Sequence, residues 1–457
     1  MNTGFLKRIF LREKKVITRI APSPTGPFHI GTARSALFNY LFARHHKGSF
    51  IVRIEDTDKE RSTKESEKDI LDGLAALGIS YDALYRQSER TDIYTTYLRQ
   101  LIEAKRAYLS KEESTTQPGK EVQVVRLKNP GEKISFNDSI RGDIEFDTKE
   151  LGDFVIARSI TEPLYHLAVV IDDHEMGVTH VIRGEEHISN TPRQILIGRA
   201  LGIREPQYAH IPLILAPDRS KMSKRKGSTS VSEFLHKGYL SEAIINYLAL
   251  LGWNPGSDRE IFTLPQLVHE FSLEHVQKSG AIFDIQKLNW FNREHLKRLP
   301  HAEFIEKVVS YFDERVTTLP QYRNDIVEKI APILIERIST LSELTELSKN
   351  GEFDYYFSEP QLGVPLVWKE DSKETAARHL SFVSELLKKI PDNAFTEESV
   401  KNCIWEYATK EGRGSVLWPM RVALSGKEKS PDPFVLSSVL GKEKTLTRLG
   451  KARDTLL

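Results

Sequence analysis

Two stretches carry residue types that could handle a polyphosphate. The first is Ala21-Pro22-Ser23-Pro24-Thr25-Gly26-Pro27-Phe28-His29-Ile30-Gly31. Three prolines and Gly26 fix an irregular corner between the short apolar stretch from Val16 to Ala21 and a helical pattern through Ala33, Leu37, Tyr40 and Leu41. The corner delivers one imidazole, His29, beside Gly31. A helix that starts there turns free N–H groups and its positive dipole end toward an anion. Alone, His-x-Gly reads equally as a proline-rich turn with a chance histidine. The second stretch is Lys221-Met222-Ser223-Lys224-Arg225-Lys226-Gly227, after the strand-like His210 to Leu215. A lone basic run is ordinarily a solvated surface. After a strand, and with Gly227 at its end, it can close on a polyphosphate instead.

Carboxylates and guanidinium groups gather at three other strand ends. Phe50-Ile51-Val52-Arg53-Ile54 reads as a buried strand and runs into Glu55-Asp56-Thr57-Asp58. Carboxylates at the carboxyl edge of a parallel strand stand where open α/β sheets bind ligands. The same run also suits a helix start, with Asp58 or Ser62 as the cap, and both readings hold if Glu55 faces the site. Arg19 lies just before the first stretch, and Arg183 ends Val181-Ile182. Two guanidinium groups converging on one pocket can hold a carboxylate by bidentate hydrogen bonds. Arg183 alone could also pair with Glu55 or Glu185. Asp172-Asp173 could be an acid–base pair or a capped strand end. His174, His180 and His187 lie close in sequence, but not at the i, i+4 spacing of a helical zinc motif.

The elements that must position these groups follow from pattern. A helix from about residue 59 ends at Gly78, another spans Ser88 to Ala107, and Val122 to Phe146 alternates and is turn-rich, as in a small β-rich insertion. Asp153 to Arg158 returns to strand character, and Thr191 to Leu201 is an amphipathic helix ended by Gly202. Beyond Val231 helices dominate, and Asn350 to Pro365 and Gly412 to Asp432 read as irregular. Trp290-Phe291 beside Lys and Arg could stack on RNA, although core packing is the simpler use. The 457 residues suit two to four domains. A net charge of +1 excludes a global basic field, so any RNA contact rests on local patches. A single cysteine, Cys403, excludes an internal disulfide framework and a cysteine-rich zinc site. The basic residues 1–15 read as a frayed extension rather than a targeting peptide.

The two phosphate-handling stretches, in this order, resemble the two signature sequences of class I aminoacyl-tRNA synthetases, usually His-Ile-Gly-His and Lys-Met-Ser-Lys-Ser. Thr32 and Arg225 at the variable places are similar to the glutamyl-tRNA synthetase branch. The resemblance covers nearly the whole chain. It includes Arg53-Ile54-Glu55-Asp56-Thr57-Asp58, Asp153 to Ser159, Thr179-His180-Val181-Ile182-Arg183-Gly184-Glu185, Pro192-Arg193-Gln194, Phe283-Asp284 with Lys287-Leu288 and Trp290, and Trp418 to Gly426. The glutaminyl branch would carry Pro-Glu-Pro-Asn-Gly in place of Pro22 to Gly26.

That resemblance implies an α/β Rossmann-type catalytic domain with a small α+β insertion, followed by an all-α C-terminal region. It places the first catalytic half at residues 1–94, the connecting insertion at 95–164 and the second half with the basic loop at 165–230. A helical stem-contact domain at 231–323 and an anticodon-binding region of two sub-bundles at 324–457 would follow. Arg19, Ala21, Ser23, Glu55, Tyr165 and Arg183 would line a glutamate pocket, with Glu55 on the α-amino group. His29, Gly31, Glu186, Ile214, Leu215, Lys221, Ser223 and Lys224 would surround ATP, with His29, Lys221 and Lys224 acting on the phosphates. The implied substrates are L-glutamate, ATP with Mg2+, and tRNA(Glu), in a cytoplasmic monomer with no membrane contact. Relatives that bind zinc do so through cysteines in the insertion; none stands near Tyr108-Leu109-Ser110, so no zinc is expected. Ser159-Ile160-Thr161-Glu162-Pro163-Leu164 departs from the usual Ser-Asp-Gly-x-Pro-Thr, which touches the pocket wall. Other readings are an enzyme that also charges tRNA(Gln), a paralogue that glutamylates another acceptor, a non-catalytic RNA-binding paralogue and a small-molecule nucleotidyltransferase. The long helical tail counts against the second and fourth of these, and the intact His29, Glu55, Arg183, Lys221 and Lys224 against the third.

Overall fold

The computed structural model describes residues 15–58, 60–113, 119, 121–220, 222 and 230–457. Lys221, Ser223 and Lys224, and residues 1–14 of the basic extension, lie outside them. The chain divides into two compact units, Met1–Phe291 and Asn292–Leu457.

In the first unit, strands β1 (Ile17–Ile20), β2 (Ser49–Ile54) and β3 (Ala83–Arg86) form a parallel sheet in the order β1-β2-β3. Helix α1 (Ile30–His45) crosses from β1 to β2, and α2 (Lys64–Ala76) from β2 to β3. The corner before α1 is capped by the imidazole itself: His29 Nδ1 accepts from the Gly31 N–H at 3.0 Å. At the far end of α1, Gly48 lets the chain pass against Val16, whose carbonyl would collide with a Cβ there. Helix α2 starts at Thr63, which accepts from the Ser66 N–H, rather than at Asp58 or Ser62. Asp58 instead pairs with Arg61.

A short 3-10 turn (Gln87–Glu89) and α3 (Thr91–Glu103) lead into an inserted β region. Strands β4 (Ala107–Glu113), β5 (Glu121–Leu127), β8 (Phe154–Ser159) and β9 (Glu162–Pro163) make an antiparallel sheet in the order β4-β5-β8-β9. The hairpin β6 (Lys133–Asp138) and β7 (Gly142–Asp147) leaves that sheet. It joins β10 (His180–Gly184) and β11 (Gln207–Ile211) in the order β10-β11-β6-β7, through the pairing of Tyr208 with Asp138.

The run from Tyr165 to Glu175 is a helix, α4, not a strand end. Leu167, Ala168, Val169, Ile171, Asp172 and Asp173 are all buried, so the segment shows no amphipathic period. Helix α5 (Thr191–Leu201) begins with Pro192 in its first turn and ends at Gly202 in the left-handed region. The parallel sheet β1-β2-β3 and the mixed sheet β10-β11-β6-β7 meet at β1 and β10, where Ile17 N–H donates to Thr179 Oγ1 at 2.9 Å and Thr179 N–H to the Ile17 carbonyl at 2.9 Å. The chain order reverses there, which is where open α/β sheets take ligands. The expected strand His210 to Leu215 is broken at Pro212: β12 (Ile214–Leu215) pairs with β13 (Ala281–Ile282) instead.

The second unit is helical, including Asn324–Arg337, Lys373–Lys388, Glu397–Glu411, Arg413–Ser425 and Lys442–Asp454. The stretch expected to be irregular after Gly412 is a helix that accommodates Pro419, because Val416, Met420, Val422 and Leu424 all bury. Arg448, on the last helix, is buried and donates to the carbonyls of Tyr355 (2.8 Å), Leu424 (2.7 Å) and Ser358 (2.8 Å). No described helix is long and apolar enough to cross a membrane. Replacing Arg448 by Leu strands three carbonyls at once. The expected cost is about 3 kcal/mol or more of second-unit stability, read from the urea midpoint by tryptophan fluorescence.

Candidate active site

The carboxyl ends of β1, β2 and β10 and the last turn of α4 gather a cluster of buried charges. Arg19, on β1, reaches α4 with a two-pronged contact: Nε donates to Asp173 Oδ1 at 3.1 Å and Nη2 to Oδ2 at 3.2 Å. Arg53, on β2 and with no exposed surface, donates to the same Asp173 at 2.6 Å and to Glu55 at 3.1 Å. Glu55 stands two residues along the strand, on the same face. Arg53 Nε also approaches Asp172, which is held separately by Gln87 (2.9 Å), Arg90 (2.7 Å) and Tyr94 (2.9 Å). Asp172 and Asp173 are therefore ion-pair partners, not an acid–base pair or a strand cap.

Arg183, on β10, completes the cluster. Its Nε donates to His210 Nε2 at 3.2 Å and its Nη2 to Thr191 Oγ1 at 2.8 Å. Neither Glu55 nor Glu185 is its ion-pair partner. Glu185 accepts from Arg141 and from the Leu213 N–H. The Arg183 Nη1 is buried and lacks a hydrogen-bond partner among the described residues. Burial pulls the Arg183 pKa down, and Arg19 nearby adds to that.

With the neighbouring pair of Arg90 and Asp172 included, four guanidinium groups, Arg19, Arg53, Arg90 and Arg183, face three carboxylates, Glu55, Asp172 and Asp173. One positive charge is uncompensated. Burial pushes the Glu55 carboxyl up against the pull of Arg53 and Arg19, so a nearby cation would favour its ionised form. Tyr165 opens α4 beside them; burial raises its hydroxyl, which lies 3.3 Å from His187 Nδ1. Ser23 is exposed and Ala21 half-buried on the corner after β1, and the Glu55 N–H donates to the Pro22 carbonyl at 3.0 Å.

The described chain just after the second stretch meets the first. His29 pairs with Ser230 in an antiparallel bridge, and the Val231 N–H donates to the Phe28 carbonyl at 3.0 Å. Met222 N–H reaches the Ile214 carbonyl at 3.4 Å. The described residues on either side of 223–229 are thus fixed to the first stretch and to β12. Arg34, on α1, adds a buried tie by donating to the carbonyls of Leu251 (2.9 Å) and Pro212. Burial lowers its pKa to about 10 against the pull of Glu186 and Glu185. Glu186 folds over Gly184, where a Cβ would collide with its carboxylate. Ile214 is buried and Leu215 half-buried, both on β12. Trp290 is partly exposed while Phe291 is in the core, against it edge-on.

Residue patterns did not point to Asp173, His210 or Thr191 as partners of Arg19 and Arg183, nor to Asp138 as the partner of His210. A signal existed for one of them: Arg53 inside an apolar strand has to find an acid, and Asp172-Asp173 is an acidic pair inside an apolar run. The link between Asp138 and His210 spans 72 residues and leaves no local pattern.

The sequence matches the family model of the catalytic domain of class I tRNA synthetases (E and Q) over residues 15–121 and 109–290. It matches the model of an anticodon binding domain over 293–453. The glutamate–tRNA ligase 1 of Caldanaerobacter subterraneus subsp. tengcongensis is 41% identical over 477 residues, 96% of this chain and 97% of that protein. The glutamate–tRNA ligase of Carboxydothermus hydrogenoformans is 42% identical over 486 residues, 95% and 99% of the two chains. A crystal structure of a glutamate tRNA ligase from Elizabethkingia meningosepticum, in complex with its amino acid, is similar with a TM-score of 0.83 at 32% identity. It covers 97% of this chain and 100% of that one.

Asp173→Ala removes the carboxylate that, alone among the described residues, both Arg19 and Arg53 bond, leaving buried charge uncompensated. The expected loss is about 3 to 5 kcal/mol of first-unit stability in chemical denaturation, against well under half that for the exposed pair of Lys68 with Asp72.

Proposed function

The chain belongs to the class I tRNA synthetases of glutamate and glutamine, and from that membership we propose that it is a glutamate–tRNA ligase. It activates L-glutamate with ATP and transfers it to tRNA(Glu). The observation that carries the choice of amino acid is the buried excess of positive charge beside Glu55, with Arg183 Nη1 lacking a partner. Glutamate at neutral pH carries two carboxylates and one ammonium group. Bound there it supplies the missing negative charge, with its side-chain carboxylate on Arg183 and Arg19 and its ammonium on Glu55. Tyr165, Ala21 and Ser23 form the remaining wall. A glutamine side chain would turn an NH2 group toward guanidinium donors, and a donor cannot satisfy a donor.

ATP takes the adjoining ground. The N-terminus of α1, with His29 and Gly31, faces its phosphates, and Glu186, Ile214 and Leu215 surround the nucleoside. Lys221 and Lys224, outside the described residues, would neutralise the polyphosphate with Ser223 beside them, and Mg2+ would supply further positive charge to the phosphates. A glutamate α-carboxylate oxygen attacks the α-phosphorus and pyrophosphate leaves. The terminal ribose 2′-hydroxyl of tRNA then attacks the glutamyl carbonyl and AMP leaves. No protein nucleophile takes part; positioning and charge stabilisation lower the barrier. Residues 1–94 and 165–230 act as the catalytic halves around the insertion at 95–164. Residues 231–323 contact the acceptor stem and 324–457 the anticodon. The enzyme works as a cytoplasmic monomer without zinc.

Purified protein with Mg2+, ATP, glutamate and tRNA(Glu) is expected to form acid-precipitable glutamyl-tRNA; none formed with active tRNA overturns the reading. Parallel assays on tRNA(Gln) decide whether that tRNA is also charged. Lys224→Ala is expected to cut the rate of glutamate activation by about a hundredfold or more while glutamate KM moves by less than about threefold. Equal effects on both would remove the lysine from the phosphates.

A further inference from the structure

Arg183 donates with two of its three nitrogens to protein groups, and one of those groups is itself held from the inserted β region. Asp138 ends β6. Its Oδ1 accepts from the N–H groups of Ile140 (3.0 Å) and Arg141 (2.9 Å), which fixes the carboxylate. Its Oδ2 accepts from the His210 N–H at 3.0 Å and lies 2.6 Å from His210 Nδ1. Asp138 and His210 have no exposed side-chain surface. On the other edge of the ring, Nε2 lies 3.2 Å from Arg183 Nε. A guanidinium nitrogen can only donate, so His210 Nε2 must accept, and the ring proton must sit on Nδ1, given to Asp138. Thr191 Oγ1 takes the Nη2 edge. Nε and Nη2 are thereby held, and Nη1 is the nitrogen left over, buried and without a partner among the described residues.

We propose that Asp138 and His210 are positioning residues of the activation reaction: Asp138 locks the His210 tautomer, and that tautomer turns Arg183 so that Nη1 faces the carboxylate of the incoming amino acid. The inference rests on the glutamate-pocket reading above. Carboxylate–imidazole pairs orient metal-bound histidines in the same way; here the group oriented is a guanidinium. The arrangement requires a neutral ring. Burial lowers the His210 pKa, and Arg183 and Arg141 lower it further, against the opposing pull of Asp138. The other groups about the ring and its arginine are Thr191 on α5, Tyr208 and Phe136 beside the ring face, and His187 and Tyr165 beside Arg183. Proton uptake would set an Nε2–H against the Arg183 Nε–H and break the contact.

Three variants separate positioning from plain support of the sheet. His210→Gln can keep an acceptor where Nε2 stood. His210→Asn keeps a donor toward Asp138 but offers Arg183 nothing. Asp138→Asn, with its oxygen retained by the Ile140 and Arg141 N–H groups, turns an NH2 toward Nδ1 and so forces the wrong tautomer. Glutamyl-tRNA formation is measured with glutamate and ATP varied in turn. Glutamate KM should rise by about tenfold or more in His210→Asn and Asp138→Asn, the worth of one hydrogen bond to a charged group. ATP KM should hold within about twofold, and His210→Gln should stay within about threefold of the parent for glutamate. Equal changes in both KM values would overturn the proposal. Should His210→Asn fail to fold, Asp138→Asn against His210→Gln gives the same decision. A parent that charges no tRNA would instead refute the function, whatever the variants do.

Discussion

Asp173 bonds two guanidinium groups at once, and both are out of water. A carboxylate so placed is costly to bury and costlier to lose, because Arg19 and Arg53 would each be left with unmatched charge. Much of the surrounding geometry serves that contact. Strands β1 and β2 must lie in parallel register for the two arginines to reach one acid, and α4 must cross beneath them with Asp173 turned upward. Asp172, one residue earlier, serves a separate set of partners on α3 and the turn before it. Adjacent acids on a helix point about 100° apart, so one helix ties the sheet on one side and α3 on another.

If this pocket takes glutamate as proposed, the same accounting makes it selective before any ligand arrives. Arg19 and Arg53 share Asp173, and Arg53 also holds Glu55, while Arg183 is held by neutral groups only. A histidine and a threonine can orient a guanidinium without cancelling its charge. An acid in either place would have filled the pocket with a permanent counter-ion, and the substrate carboxylate would have had to displace it.

The strands and helices around the first stretch were legible because their patterns are clean: an apolar β1 and β2, an α1 with a buried face, and an α5 bounded by proline and glycine. Segment α4 misled because it is buried on nearly every side, which erases the period that separates helix from strand. Pro212 carries a local mark of the break inside the strand-like run from His210 to Leu215. Arg19, Glu55 and Arg183 were visible as charges at strand ends, but their partners were not. Which acid a buried arginine meets depends on how sheets join, and the β1–β10 junction and the departure of β6 from its own sheet carry no local mark. The pairing of His29 with Ser230 is equally non-local, although the order of the two stretches hinted at it.

The hairpin of β6 and β7 has a consequence for how this protein can change. Its residues interrupt the catalytic fold and would pass for a cassette that could be trimmed, exchanged between relatives or replaced by a short linker. Yet β6 is stitched to β11, and its last residue is the acid under His210. A graft that cut the chain at the edges of the insertion would carry away the acid that holds His210 beside Arg183. The insertion can drift in sequence along β4, β5 and their connecting loop, but not at the strand that docks.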